Sequence, residues 1–159
     1  MTQQERADVI ERIRRLPGIV EALVQGLTPE MLTTHFLPNE WTVAQNVHHL
    51  ADDQMHLYSR CKLIATEHKP ILKPFDQDTW ALLPDAMTAN VADSITLLKG
   101  LYARAVPFFE ACGESDWARE GVHLEGGLGT LEHWFCRFAG HAELHIEQIQ
   151  QTLAARRRD

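Results

Sequence analysis

The sequence predicts an all-α protein: a four-helix bundle with a long crossover between its second and third long helices. Three observations predict this fold. Four stretches carry apolar residues at helical spacing, no strand-like alternation extends beyond a few residues, and 159 residues are enough to close one core. The apolar fraction of 45% and the charged fraction of 23% are those of an ordinary globular protein. We therefore expect one domain over residues 1–159.

The first two long helices are expected over about Gln4–Gln25 and Thr42–Glu67, where apolar residues recur every three or four positions. Pro17-Gly18 interrupts the first pattern and predicts a kink or a break, because proline has no N–H to donate. Thr42 and Gln45 have the spacing of a capping box, which predicts where the second helix begins.

The segment 68–87 contains three prolines and predicts the crossover. It is too long for a simple antiparallel turn, so we expect it to carry the second helix to a parallel neighbour. The third long helix follows over about 90–112. A loop over Ser115–Gly129, with one turn around Asp116-Trp117, then leads into the fourth helix, Thr130–Arg156.

Charge and composition narrow the classes of partner. The formal net charge of -7 and a pI of about 5.7 disfavour nucleic acid. Arg156-Arg157-Arg158 is a local exception, and cations at a helix end complement the helix dipole. No apolar run is long enough to span a bilayer, and the first residues lack the apolar core of a signal peptide. The scattered cysteines read as reduced thiols, so we expect a cytoplasmic protein without a membrane partner (Cys61, Cys112 and Cys136).

The strongest chemical signal is a histidine pair in the fourth helix. His141 and His145 are four residues apart, so they point about 40° from each other, at the margin of the apolar face. Two imidazoles at this spacing can reach one metal ion, and neutral imidazole is the commonest metal ligand. The alternative is a pair of core histidines bonded to neighbouring helices. A third ligand is needed to favour the metal.

The second helix offers candidates for that ligand. His48 and His49 both fall off the apolar stripe, and helical geometry alone does not choose between them. His49, Asp53 and His56 share one face at spacings of four and three residues. Two interpretations are open. The face is a solvated polar surface, or it holds a metal ligand that an aspartate supports by a hydrogen bond.

The segment Trp41–Asp52, with the sequence WTVAQNVHHLAD, resembles the W-[ST]-x-x-[EQ]-x-x-x-H-[LI] motif of the DinB superfamily. The His141-x-x-x-His145-Ile146 pattern resembles the second landmark of that superfamily. The resemblance is to its YfiT-like branch of metal-dependent proteins and spans about 41–149. Further similar segments lie between the two motifs: Arg60–Leu63, Lys73–Asp76, Trp80-Ala81 and Gly126–Glu132. Arg60 and Trp80 are therefore also candidates for lining a pocket.

The resemblance implies a four-helix bundle that holds one divalent metal ion, zinc or nickel, through three histidines. The helix-2 ligand of the family is the histidine eight residues after the tryptophan, which is His49 here; the other two are His141 and His145. The chain departs from the branch at two places: Phe138 and Ala142 stand where a tyrosine and a further histidine are common. This departure puts a substrate contact or proton relay in doubt, not the metal site.

Three histidines leave a coordination position open, which favours catalysis or ligand capture over a structural site. Glu143 does not form a zincin HExxH motif, because it points about 160° away from the pair. The fourth helix therefore supplies no obvious general base, and Asp53, or Asp52, is the better candidate.

The missing base favours thiol chemistry over hydrolysis, and the YfiT-like branch includes bacillithiol transferases. The first hypothesis is a metal-dependent enzyme that transfers a low-molecular-weight thiol to a small electrophile, as in detoxification. The alternatives are a metal-dependent hydrolase, a non-catalytic module that binds a metal or small ligand, and a helical dimer with vestigial histidines. Family members commonly pair through bundle faces, so the resemblance also implies a homodimer.

Overall fold

The computed structural model describes residues 1–156. Its helices, in chain order, are α1 (Gln3–Val24), α2 (Pro29–Thr33), α3 (Val43–Thr66), α4 (Gln77–Trp80), α5 (Ala92–Glu110), α6 (Glu114–Trp117) and α7 (Leu131–Ala155). The long helices α1, α3, α5 and α7 form the predicted four-helix bundle. α1 packs against α5 and α7, and α3 packs against the same two helices. The end of the predicted cationic run, Arg157-Arg158, lies outside the described residues.

The crossover places α3 and α5 side by side and parallel. Near their starts, His48 Nδ1 lies 2.8 Å from Ser94 Oγ. Two turns further along both helices, Tyr102 donates a hydrogen bond of 2.9 Å to Gln54. Because the contacting residues follow the same order along both helices, the two helices run in the same direction. The parallel neighbour predicted from the length of the crossover is therefore confirmed.

Helix boundaries follow the capping residues of the sequence. Thr42 and Gln45 form the predicted capping box, each accepting from the backbone N–H of the other. Thr130 caps α7 by accepting from the N–H of His133. Of the two outcomes predicted at Pro17-Gly18, the break is wrong, because α1 continues through Pro17, and the kink stays a prediction. One lost backbone hydrogen bond is tolerated there, since the turns on both sides are anchored in the core.

The predicted loop over 115–129 is only partly correct. The turn around Asp116-Trp117 is present as α6, but the rest is a hairpin of β2 (Glu120–His123) and β3 (Gly127–Thr130). β2 also pairs in parallel with β1 (Ile71–Leu72), which lies in the crossover. The resulting three-stranded sheet ties the crossover to the entry of α7. Strands of two to four residues give no sequence period, because their pairing is non-local.

The core lies between the four long helices and is rich in aromatic side chains. Phe109 packs against Phe135 at a ring-centroid distance of 4.7 Å, and Phe138 packs against Tyr102 at 4.9 Å. These contacts link α5 to α7 across the core. Within residues 1–156, no helix is long and apolar enough to cross a membrane.

Candidate metal centre

The structure separates the adjacent histidines of α3. His48 faces α5 and the end of the crossover, where Nδ1 lies 2.8 Å from Ser94 Oγ and Nε2 lies 3.0 Å from the carbonyl oxygen of Thr88. Both of its ring nitrogens are thus engaged. His49 points toward α7 instead, and its buried Nε2 has no hydrogen-bond partner among the described residues. His49 is therefore the histidine of α3 that is available as a ligand.

Three histidines from two helices meet at one point. His49, His141 and His145 each offer a ring nitrogen, and these atoms lie within 4.8 Å of one another. The ring centroids of His49 and His145 are 4.5 Å apart, as are those of His141 and His145. His49 and His145 are almost fully buried, and His141 is partly exposed. The structure thus brings together all three residues that the sequence analysis named as metal ligands.

Two neighbouring side chains orient the imidazoles of α7. Asn46 donates to the carbonyl oxygen of Thr42, which leaves its own side-chain oxygen facing His145 Nδ1 at 2.8 Å. That oxygen accepts only, so Nδ1 carries the proton and Nε2 keeps its lone pair. Asp53 lies behind His141, where its Oδ2 is 2.9 Å from Nδ1, although the two atoms are not aligned as a hydrogen bond. Carboxylate and carbonyl partners of this kind are usual behind metal-bound histidines.

The arrangement of nitrogen atoms fits a divalent ion. The Nε2 atoms of His141 and His145 lie 3.3 Å apart. Two ligands at zinc–nitrogen distances and a tetrahedral angle are separated by about 3.3 Å. A cation or a proton between the two atoms offsets the repulsion of their lone pairs. The orphaned Nε2 of His49 completes a set of three nitrogen donors.

Burial keeps two of the imidazoles neutral. It lowers the pKa of His49 to about 4, although Asp53 opposes that shift. Burial, with the neighbouring His141 and His49, lowers the pKa of His145 to about 3. Burial alone would raise the pKa of Asp53, but His141 beside it brings the pKa below its ordinary value. Two neutral imidazoles near an ionised carboxylate suit cation binding, because no proton has to leave His49 or His145 at neutral pH.

Aromatic residues cover the centre. Trp41 stacks on His145 at 5.8 Å and meets the edge of His49 at 4.7 Å. The ring centroid of Phe75, a residue of the crossover, lies 4.5 Å from that of His56 and 4.8 Å from that of Trp80. Trp80 thus belongs to the aromatic wall near the centre, although it does not line the adjoining cavity.

Two cavities reach the histidines from opposite sides. One, of about 520 Å³, is lined by His141, Asp53 and Arg60 together with residues of the crossover and the hairpin. The other, of about 730 Å³, is lined by His145, Trp41 and Asn46 together with residues of α7. Arg60 therefore lines a cavity, as the sequence suggested. The centre is open to small molecules from these sides.

Other candidates from the sequence lie elsewhere or differ in role. Glu143 points outward and binds Arg12 at 2.9 Å, in agreement with its exclusion as a zincin glutamate. Asp53, the predicted general base, contacts His141 and so occupies the orienting position that the sequence left open. Phe138 and Ala142 are buried in the core. Sequence reasoning missed Asn46, although its place three residues before His49 puts both side chains on one face of α3.

A four-helix bundle with three converging histidines at an open cavity defines a class of metal-binding helical proteins. A family model of the DinB superfamily matches residues 4–149 of the chain. The chain belongs to the DinB superfamily.

Similar proteins carry names that refer to metal-dependent hydrolysis. A "Putative metal-dependent hydrolase" of Geobacillus thermodenitrificans is 43% identical over 144 residues, which are 88% of this chain and 79% of that protein. The protein of the same kind named YfiT in Bacillus subtilis is 30% identical over 152 residues, covering 95% and 85% of the two chains.

A solved structure shares the architecture. It is described as YfiT from Bacillus subtilis, "a probable metal-dependent hydrolase with an unusual four-helix bundle topology". It superposes with a TM-score of 0.92 at 29% identity, and the match covers 96% of this chain and 87% of that one. The predicted family and bundle are thereby confirmed.

Proposed function

We propose that the protein is a metal-dependent enzyme that transfers a low-molecular-weight thiol to a small electrophilic molecule. His49, His141 and His145 would hold one divalent ion, zinc or nickel. The names of the relatives support metal dependence, and the converging lone pairs of the three histidines support a cation at this point. The choice of thiol transfer is our inference from the surrounding side chains.

The observation that carries this choice is the position of Asp53. Hydrolysis requires a base that takes a proton from the attacking water. Asp53 is the buried carboxylate next to the histidines, and its Oδ2 already lies 2.9 Å from His141. Asp76, which lines the same cavity, accepts two hydrogen bonds from Thr79. Glu125 also lines this cavity, but it is exposed on the hairpin turn. Thiol transfer needs no such base, which makes it the better match to Asp53 and Asp76.

When bound, a divalent ion with an open coordination position lowers the pKa of a water or thiol that reaches it. The side chains of the protein have separate tasks. Asn46 holds His145 in the tautomer that leaves Nε2 free, and Asp53 places a carboxylate behind His141. Trp41 and Phe75 supply apolar walls, one to each of the two cavities. In the transfer, the thiol loses its proton to solvent and its sulfur bonds to the electrophilic carbon, while a leaving group departs with the electron pair of its broken bond to that carbon.

A turnover experiment tests the proposal. Untagged protein is prepared as wild type and as His145→Ala, with His68→Ala as a control for an exposed histidine outside the centre. Each is loaded with zinc or nickel and assayed with cysteine and a chromogenic aryl halide. We expect thiol-dependent turnover in wild type and His68→Ala, and its loss in His145→Ala and after chelation. Turnover that survives both chelation and His145→Ala would refute the proposal.

Metal-dependent hydrolysis is the second candidate, and the names of the relatives favour it. Ester or amide cleavage that needs the metal but no thiol would establish it in place of transfer. Stoichiometric metal binding without either activity would identify a metal-binding or ligand-binding module. The homodimer and the cytoplasmic location stay predictions alongside this proposal.

A further inference from the structure

Arg60 is a buried cation without an ionic partner. Its side chain is 9/10 buried, with 8% of the residue exposed, and it donates one hydrogen bond, of 2.8 Å, to the carbonyl oxygen of Lys73. Among residues 1–156 it forms no ion pair with a carboxylate. Buried charges are normally paired, and a guanidinium has five N–H donors. Its position on the 520 Å³ cavity beside His141 suggests that an external group pairs with it.

A second arginine faces the same space. Arg137, on α7, is exposed and makes no hydrogen bond or ion pair within the described part of the chain. The guanidinium carbons of Arg60 and Arg137 lie 5.5 and 5.9 Å from the ring centroid of Trp134. Both arginines line the cavity next to the histidines and an adjoining one of about 360 Å³ under the hairpin. The indole therefore holds two cations at one place.

A neutral donor lines the same space. His123 accepts backbone N–H groups of Glu125 and Gly126 at Nδ1, so its proton is on Nε2 and is free to be donated. His123 lines both cavities, and Trp134, which is 4% exposed, lines the adjoining one. Two cations and one neutral donor thus surround a space that is continuous with the metal centre.

Three carboxylates also line the cavity beside His141, and within residues 1–156 none of them forms an ion pair with either arginine (Asp53, Asp76 and Glu125). Asp53 contacts His141, and Asp76 accepts from Thr79 through both of its oxygens. Glu125 is exposed on the hairpin turn. Burial lowers the pKa of Arg60, and the nearby Asp53 opposes that shift.

We propose that Arg60 and Arg137, with His123 and Trp134, form a subsite for an oxyanion group, a carboxylate or a phosphate, of the molecule that reacts at the histidine centre. Planar guanidinium groups match the oxygens of both anions. This inference rests on the proposed function for the identity of the reacting site, and it assigns the substrate class: small molecules that carry an oxyanion. Neutral molecules of the same size bind less tightly.

The subsite is tested first without metal, so that the result does not depend on catalysis. Metal-free, full-length protein is titrated by calorimetry with succinate, with inorganic phosphate and with neutral succinamide. We expect saturable binding of at least one oxyanion and none of succinamide. Succinate binding alone would identify a carboxylate ligand, and phosphate binding alone a phosphorylated one. Failure of both anions to bind up to tens of millimolar would overturn the proposal.

Substitutions locate the binding. Arg60→Gln and Arg137→Gln are each expected to weaken oxyanion binding about tenfold or more, the usual size for a charge-assisted hydrogen bond. Arg104→Gln, in an exposed arginine of α5, is the charge-matched control and should leave the affinity unchanged. If Arg60→Gln does not fold, the exposed Arg137→Gln decides. Equal affinity in wild type and Arg137→Gln, or equal weakening in Arg104→Gln, would overturn the subsite.

The two proposals fail in different ways. Metal-loaded wild type is assayed in parallel with cysteine and the aryl halide. Arginine-dependent oxyanion binding without thiol turnover would support the subsite and refute thiol transfer. Thiol turnover without oxyanion binding would refute the subsite and leave thiol transfer intact.

Discussion

We expect the side chain of Asn46 to control how well the centre binds metal, although it is not one of the three proposed ligands. It is 2% exposed and accepts from Nδ1 of His145 at 2.8 Å, while its own amide group donates to Thr42 at 3.0 Å. Asn46→Ala removes the acceptor and leaves a buried N–H of His145 without a partner. The imidazole is then free to rotate or to move its proton to Nε2, which removes the lone pair that faces the metal.

The size of the effect follows from the two losses. Removal of an outer partner of a ligating histidine typically lowers metal affinity about 10- to 100-fold. Leaving one buried donor unsatisfied costs about 1–3 kcal/mol of the free energy of unfolding. We therefore expect Asn46→Ala to fold, to unfold at lower denaturant concentration, and to bind zinc at least tenfold more weakly than wild type.

Competition with a chromogenic chelator measures the affinity, and urea unfolding of the metal-free protein measures stability. Gln54→Ala is the matched control, because Gln54 lies on the same helix, is fully buried and accepts a hydrogen bond of 2.9 Å from Tyr102. It should lose a similar free energy of unfolding while keeping its zinc affinity. If Asn46→Ala and wild type bound zinc equally well, or both variants lost affinity together, the orienting role of Asn46 would be refuted.

Three further predictions concern ligand choice, pH and packing. His49→Ala should abolish stoichiometric metal binding. His48→Ala should retain the metal and lose about 1–3 kcal/mol of the free energy of unfolding. Metal analysis and urea unfolding distinguish the two variants, and loss of metal in both would contradict the choice of His49 as the ligand. The metal-free protein should lose stability as the pH falls below about 6.5, because the pKa values of His49 and His145, about 4 and about 3, lie below those in the unfolded chain. The unfolded chain then binds more protons, so unfolding free energies that stayed constant from pH 7 to pH 4 would contradict the lowered pKa values. Gly121→Ala should cost about 1–3 kcal/mol, since the added Cβ would lie 2.8 Å from a buried side chain of α3. Gly140→Ala, in open space within α7, should gain about 0.5–1 kcal/mol, and thermal unfolding of both would reveal any reversal of sign.

The helices of the bundle were predictable because their signals are local. The capping residues Thr42 and Thr130 marked the starts of α3 and α7, and apolar spacing marked the buried faces. The signal failed at Pro17, where tertiary packing keeps α1 continuous despite the missing N–H. It also failed for β2 and β3, whose short strands form only when the hairpin closes and meets the crossover.

The candidate site, like the fold, was predictable only in part. The spacing of His141 and His145 marked a ligand pair, but both histidines of α3 were equally acceptable by helical geometry. The resemblance to a family selected His49, and the fold shows why: the ring nitrogens of His48 are taken up by Ser94 and Thr88. For the polar face of α3, the sequence left two interpretations open. The contact between Asp53 and His141 matches the one in which an aspartate supports a ligand.

The sequence by itself determined four amphipathic helices, a crossover and a histidine pair, because helical period and capping depend on residues a few positions apart. Only the tertiary structure showed why His49 and not His48 joins the pair, that Asn46 and Asp53 stand behind the histidines, and that Arg60 forms no ion pair within residues 1–156. These facts depend on contacts between helices that are up to 99 residues apart in the chain. No local pattern encodes such distances, since they are set by how the core packs.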